Sequence, residues 1–389
     1  MTAIRLGVLL VIAAGFTLAL SSLHAIQEPA FVSPENRTSR PNSEPVLEEA
    51  FISGDLTREV HSATAIELNN GDIRVFWYGG KREGSKDTSI YSRVLNKDSN
   101  SWSAVDEIMT RRTVTLDTHR YIRKLGNPVA LVNGDKIWLF FVSVSVGGWA
   151  GSSINLSVSD DNGTTWGPVK RLISSPFMNI STLVKNAPLL TDNGDVILPA
   201  YHEFLGKFSE LLQLDSAGNV LNKNRISHGR EAIQPTLLPV DSTHAIAFMR
   251  NTSARQPGKL WFSRNQDKLD NWTPLEALTL PNPDAAVAAV QLNTADELLL
   301  VFNNHPSERD DISMAYRPGN GATWQLIHQF EKTISGAVEE HNPYSYPYLL
   351  QTHDGNFHLF YTWKRKHIKH VYFNRAALLD MLSSAGPEL

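Results

Sequence analysis

The chain has 389 residues, is 42% hydrophobic and 20% charged, and carries a formal net charge of -4. That balance fits a globular protein with a real core and offers no overall basic surface for nucleic acid. Cysteine is absent, which excludes disulfides, thiol catalysis, cysteine-held metals and a lipidated N-terminal cysteine; the histidines lack paired ligand spacing, so neither a metal nor a cofactor is expected.

The chain opens with Arg5 and an uncharged, mostly apolar run from Leu6 to Leu20, and Ala25 offers a cleavage position. The run is shorter than the roughly 20 residues that span a bilayer. Residues 1–25 therefore read as an export signal, with an uncleaved N-terminal anchor as the alternative. Both place the protein outside the cytoplasm, periplasmic or extracellular, touching a membrane only through that segment. Residues 26–45 are polar and punctuated by Pro29, Pro34, Pro41 and Pro45, so they read as a linker. The folded domain is placed at 46–389.

From His61 onward an apolar strand, a tight polar turn and a second apolar strand recur. The first copy turns at Asn70-Gly71-Asp72, the second at Asn133-Gly134-Asp135 and the third at Asn193-Gly194-Asp195. The fourth begins at Gln234-Pro235 and turns at Asp241-Ser242, and the fifth turns near Ala295-Asp296. The sixth runs from Tyr346-Pro347 through Asp354-Gly355. Asn-Gly and Asp-Gly between apolar runs are strong hairpin signals, because type I′ turns need positive φ. A further strand pair follows each hairpin, often near a tryptophan: Trp102, Trp166, Trp272 and Trp324. Pro128, Pro188, Pro235 and Pro347 are expected at strand starts, where a missing N–H is tolerated. Six units of this length predict an all-β, six-bladed β-propeller, closed by pairing of the segment from Val46 to Leu56 with the last blade. A β-sandwich would not account for a repeat this long. Only the segment Arg375 to Ser383 reads as helix.

Ser159-Asp160-Asp161-Asn162-Gly163-Thr164-Thr165-Trp166 fits the Asp-box pattern, a structural hairpin on the outside of a blade, and degenerate copies end at Trp102 and Trp324. Together with the repeat, this resembles the sialidase family, a superfamily of Asp-box propellers. The resemblance implies an arginine cluster for a sugar carboxylate, a tyrosine nucleophile with a glutamate partner, and an aspartate acid/base. Arg309, after Asn303-Asn304-His305-Pro306, and Arg250, closing a strand after Gln234-Pro235, match two of the arginine segments. Tyr346, eight residues before Asp354, matches the nucleophile. The sequence departs from the pattern at three points. His61 stands where the first arginine belongs, Gln234 stands where the glutamate belongs, and the acid/base is left between Asp87 and Glu83.

An arginine fork holds a carboxylate through two parallel hydrogen bonds. A phenol with an ordinary pKa of about 10 needs a base or cations nearby to react. Glu231, Glu339, Glu340 and His341 are alternatives to Gln234 in that role, and ligand stacking is the alternative for Tyr346. His61, Lys124, Asn127, Lys185, Asn186, His341 and Asn342 stand at or just before inner-strand starts, which converge on the tunnel mouth. His202-Glu203 follows the third hairpin as a candidate proton-transfer pair. The basic run from Lys364 to His370 reads as a strand, with Arg365 as the residue to test.

These features point to an exo-acting glycoside hydrolase on terminal acidic sugars of glycans. The alternatives are a uronic-acid polysaccharide lyase and a non-catalytic glycan-binding propeller.

Overall fold

The computed structural model describes residues 29–32, 44–175, 179–294, 296–319, 322–333 and 343–385, besides positions 7, 13 and 14. Most of residues 1–25, read as an export signal, and Glu339, Glu340, His341 and Asn342 lie outside the described residues. Among those described, no helix is long and apolar enough to cross a membrane.

Six antiparallel sheets form a ring, each sheet one blade. The inner strands are Glu59–Glu67 in blade 1, Lys124–Asn133 in blade 2, Ala232–Pro239 in blade 4, Ala288–Gln291 in blade 5 and Tyr344–Gln351 in blade 6. In blade 3 the inner strand is broken into Leu183–Val184 and Leu189–Leu190. Leu47–Phe51 pairs antiparallel with His367–Phe373, from Leu47 opposite Phe373 to Phe51 opposite Lys369, and so supplies the outer strand of blade 6. The ring thus closes as the sequence predicts. The Asn374 side chain accepts from Val46 N and caps the helix Arg375–Ser383 by accepting from Ala377 N.

Each seam between neighbouring blades holds its own hydrophobic cluster. At the closing seam Trp77, Val75 and Ala65 of blade 1 pack with Tyr348, Phe360 and Ile368 of blade 6. Apolar residues on both faces of each blade make this geometry the one that buries them. The Asp-box behaves as expected: the Asp161 carboxylate accepts from Thr165 N at 2.9 Å and from Thr165 Oγ1 at 2.6 Å, while Trp166 packs edge-on against Phe76 of blade 1.

Three features differ from the sequence reading. Pro128, Pro235 and Pro347 stand inside their strands at register shifts, where a β-bulge removes the need for an N–H donor. A second helix, Arg111–Thr118, follows blade 1. Only Val114 of it is buried, so it has no apolar stripe to betray it. Phe31, within the stretch read as a linker, is 3% exposed and packs with Ile197, Ala245 and Trp261 between blades 3 and 4.

Candidate active site

Four inner strands share one irregularity. The ladder shifts register between His61 and Thr64, Gly126 and Val129, Ile233 and Thr236, and Ser345 and Tyr348. In each bulge one residue takes a left-handed conformation: Ser62 (φ 55°), Asn127 (41°), Gln234 (55°) and Tyr346 (56°). Side chains other than glycine avoid that region, and such strain persists where the surroundings over-determine it, commonly at functional sites. Asn127, Gln234 and Tyr346 come together at the axis.

A cavity of about 250 Å³ opens there, at the end of the ring where inner strands begin. Its floor is a hydrogen-bonded chain. Asn127 Nδ2 reaches Tyr201 Oη at 3.2 Å, Gln234 Nε2 reaches Tyr201 Oη at 3.3 Å and Tyr346 Oη at 3.1 Å, and Arg250 Nη1 donates to Gln234 Oε1 at 3.3 Å. The His61 ring packs against Tyr346 with centroids 4.3 Å apart. Burial drives His61 down to about 4, against the opposing pull of Glu83, so it is neutral at pH 7. Its buried Nδ1 has no protein partner. Burial raises Tyr78 and Tyr201 well above the usual phenol range.

Three guanidinium groups from three blades line this cavity: Arg250, Arg309 and Arg365. Arg250 Nε meets Asp284 Oδ1 at 2.6 Å. Burial opposes the Arg250 charge, but Tyr346 and Asp284 outweigh it and hold the group above its usual range. Arg309 donates from Nη2 to the Asp284 carbonyl, and its buried Nε has no partner. Burial, with repulsion from Arg250, lowers it to about 10, so it stays charged at neutral pH. Arg365 is ion-paired with Glu83. The sequence reading put Arg365 on a strand; it sits instead in the tight turn between Phe357–Trp363 and His367–Phe373, with φ of 48° at Lys364 and 55° at Arg365. That turn lies at the cavity end and places Arg365 beside His61, the position that lacks its arginine.

Two carboxyl groups face the same space in different states. Burial pushes Glu83 up, but the cations beside it, foremost Arg365 at neutral pH, outweigh burial and hold Glu83 below its usual value. Burial raises Glu203 above its usual value, against the pull of Arg250 and Lys207. Divergent environments of this kind separate a proton donor from a fixed anion. Of the pair His202-Glu203, only Glu203 lines the cavity; His202 stacks on Phe208.

Other candidates fall outside the lining, among them Asn186 and Gln234, the latter lying beneath Tyr346 through its 3.1 Å bond. Asp87 is exposed on the loop between strands Ile73–Gly80 and Ser89–Asn96 of blade 1, its carboxylate tied to the Ser85 hydroxyl and the Lys81 N–H, and these bonds, Ser85 first, keep it below the usual range. Lys124 is covered: its Nζ lies 3.6 Å from the Trp149 ring centroid. A Cβ at Gly126 would stand 2.5 Å from that ring, so glycine lets the tryptophan lie across the strand. Lys185 is buried in the axis, 1% exposed. Glu231 is not among the lining residues either.

Sequence reasoning missed Tyr78, Trp149, Tyr201 and Asp284. Tyr78 and Tyr201 lie near the ends of second strands, as Arg250 does, and that shared position was the available signal. Asp284, in Asn282-Pro283-Asp284, had none beyond a turn. Among the described residues no group of histidines and carboxylates is arranged to hold a metal ion.

A family model described as a BNR repeat-like domain matches residues 71–359. No curated protein matches the sequence. Among solved structures, the Hadza microbial sialidase Hz136 superposes with a TM-score of 0.66 at 15% identity, over 81% of this chain and 66% of that one. A protein of unknown function from Dyadobacter fermentans gives a TM-score of 0.66 at 14% identity, over 84% and 98% of the two chains. The Trypanosoma rangeli sialidase gives 0.64 at 12% identity, and this chain spans 57% of its length. At such identities the likeness is one of fold.

Proposed function

Because the chain belongs to the BNR repeat-like family, with a sialidase-type propeller, we propose that it is an exo-acting glycoside hydrolase that removes a terminal acidic sugar from a glycan. The observation that carries this reading is the convergence of Arg250, Arg309 and Arg365 on one small cavity whose floor is the Tyr346–Gln234 pair. Three guanidinium groups suit a carboxylate at a fixed orientation. A cavity of about 250 Å³ takes one sugar ring, which suits exo action. Arg309, with a buried unpartnered Nε, has donor capacity left for an acidic ligand.

In this reading Tyr346 attacks the anomeric carbon and Glu203, with its raised carboxyl, protonates the departing glycosidic oxygen. Asp87 and Glu83 drop out as donors, the first by position and the second by its ion pair. Gln234 orients the phenol without taking its proton. His61, neutral and packed on Tyr346, is the neighbouring base. In a sialic acid the carboxylate sits on the anomeric carbon itself, which favours a neutral phenol over a carboxylate nucleophile, an exception to the two-carboxylate rule.

The test is turnover of fluorogenic sialosides and uronides. Tyr346→Phe is expected to cost on the order of a thousandfold in kcat, and Glu203→Gln to lower kcat and remove the alkaline limb of the pH profile, where the proton donor ionises. Full turnover by Tyr346→Phe would sink the nucleophile assignment.

The glutamine beside Tyr346 favours one second reading, a uronic-acid lyase, in which arginine neutralises the carboxylate and tyrosine or histidine moves the proton. An unsaturated, ultraviolet-absorbing product separates it from hydrolysis.

A further inference from the structure

Blade 3 breaks the pattern of the inner strands. Its ladder is interrupted after Val184, and the next two side chains fill the axis instead. Lys185 reaches across to blade 6, where its Nζ donates to the Pro347 carbonyl at 2.5 Å; it also donates to Asn186 Oδ1 at 2.9 Å. Asn186 Nδ2 reaches blade 4, at 3.1 Å from the Gln234 carbonyl, 3.0 Å from the Pro235 carbonyl and 2.9 Å from Thr236 Oγ1. Pro347 and Pro235 are the residues that follow Tyr346 and Gln234 in their bulges. One linked pair of side chains therefore grips both bulges from below, while the two aimed side chains meet above at 3.1 Å.

We infer that Lys185 and Asn186 are positioning residues, a clamp across the propeller axis that sets the Tyr346–Gln234 pair in register. Stability alone does not call for this arrangement. A fully buried ammonium without a carboxylate is costly, and an apolar side chain of similar length would fill the space without that cost. The groups against Lys185 are neutral: the Pro347 carbonyl and the Tyr348 ring, 6.0 Å away, from blade 6, and Asn186 from its own blade. What lysine adds is a donor long enough to hold a carbonyl one residue from Tyr346. Burial, with no charged group contributing, lowers Lys185 to about 7. The clamp accordingly gains and loses its charge near neutrality, and that makes it observable.

The clamp's catalytic meaning rests on the reading of Tyr346 as the reacting group, but its existence is testable without a substrate. The experiment is an NMR titration of the full chain carrying ¹³Cζ-labelled tyrosine, with the Tyr346 resonance assigned by its loss in Tyr346→Phe. In the wild type that resonance is expected to move through a step with a midpoint near 7. Lys185→Met is expected to abolish the step while the circular dichroism spectrum stays native. Asn186→Ala, which keeps the lysine, is expected to shift or broaden the resonance by freeing the Gln234 bulge. A wild-type resonance flat across neutral pH, or a step that survives in Lys185→Met, overturns the inference. If Lys185→Met does not fold, an unaltered Tyr346 resonance in Asn186→Ala overturns it instead. Failure of the wild type to turn over any acidic sugar would count against the hydrolase reading and leave this titration unaffected.

Discussion

The two ends of the blades are built on opposite plans. At the hairpin end, side chains satisfy the turn they belong to. Asp72 N bonds to Asn70 Oδ1 at 3.1 Å, Asp195 N to Asn193 Oδ1 at 3.1 Å and Asn356 N to Asp354 Oδ1 at 3.3 Å. At the cavity end the partners are far apart in sequence: Ser62 N with Thr362 Oγ1, Gln234 with Tyr346, Arg250 with Asp284, and Arg365 with Glu83. Turns form locally, whereas the cavity exists only once the ring has closed. The first set holds up the fold, and the second holds up the site at the fold's expense, through left-handed backbone and buried charge.

That contrast is most easily broken at the closing seam. Phe360 is fully buried there, packed with Trp77, Tyr348 and Ile368. Phe360→Ala is expected to cost about 3–5 kcal/mol in denaturant unfolding and to loosen the junction that brings Arg365 to Glu83. A cost below about 1 kcal/mol would mean that the seam relaxes around the gap.

Acid comes next, because both ends bury neutral histidine. His61 at the cavity and His358 at the hairpin end of blade 6 are each lowered by burial to about 4 from an ordinary 6.5. The unfolded chain takes up those protons first as pH falls. The stability they confer is therefore complete above about 6.5 and lost between 6.5 and 4. Each should account for up to about 3 kcal/mol over that window. Chemical denaturation at stepped pH checks this: His61→Gln and His358→Gln should each flatten part of the slope, and an unchanged slope in both would refute the assignment.

The smallest effect belongs to a single turn. Gly194 has a φ of 82°, and an added Cβ would meet no atom within 4 Å. Gly194→Ala should therefore cost only the backbone strain, about 1 kcal/mol, seen as a modest fall in melting temperature with the cavity intact.

The same division explains what was legible in the sequence. Asn-Gly-Asp turns, the Asp-box from Ser159 to Trp166, the closing strand and the C-terminal helix are local signals, and each appears where its residues say. Arg250, Arg309, Tyr346 and Gln234 were legible through the resemblance of their segments to the sialidase family. Arg365 was read as a strand residue because nothing local marks two consecutive left-handed residues without glycine. Lys185 was placed at the mouth because, like Lys124 and Asn127, it stands at an inner-strand start, yet blade 3 breaks its inner strand there and has no bulge to aim the side chain outward. Asp284 was silent, since its importance lies in meeting Arg250, which stands two strands earlier in the same blade and reaches it only once that sheet has formed.

The central claim is that the three-arginine cavity recognises a sugar by its carboxylate. Calorimetric titration with N-acetylneuraminate and glucuronate, each against its methyl ester, tests it most directly. At least one acid is expected to bind while its ester does not, and Arg309→Ala should weaken that binding by about 1.5–3 kcal/mol, with lysine restoring only part. Equal binding of acid and ester, or binding indifferent to Arg309, would contradict the claim.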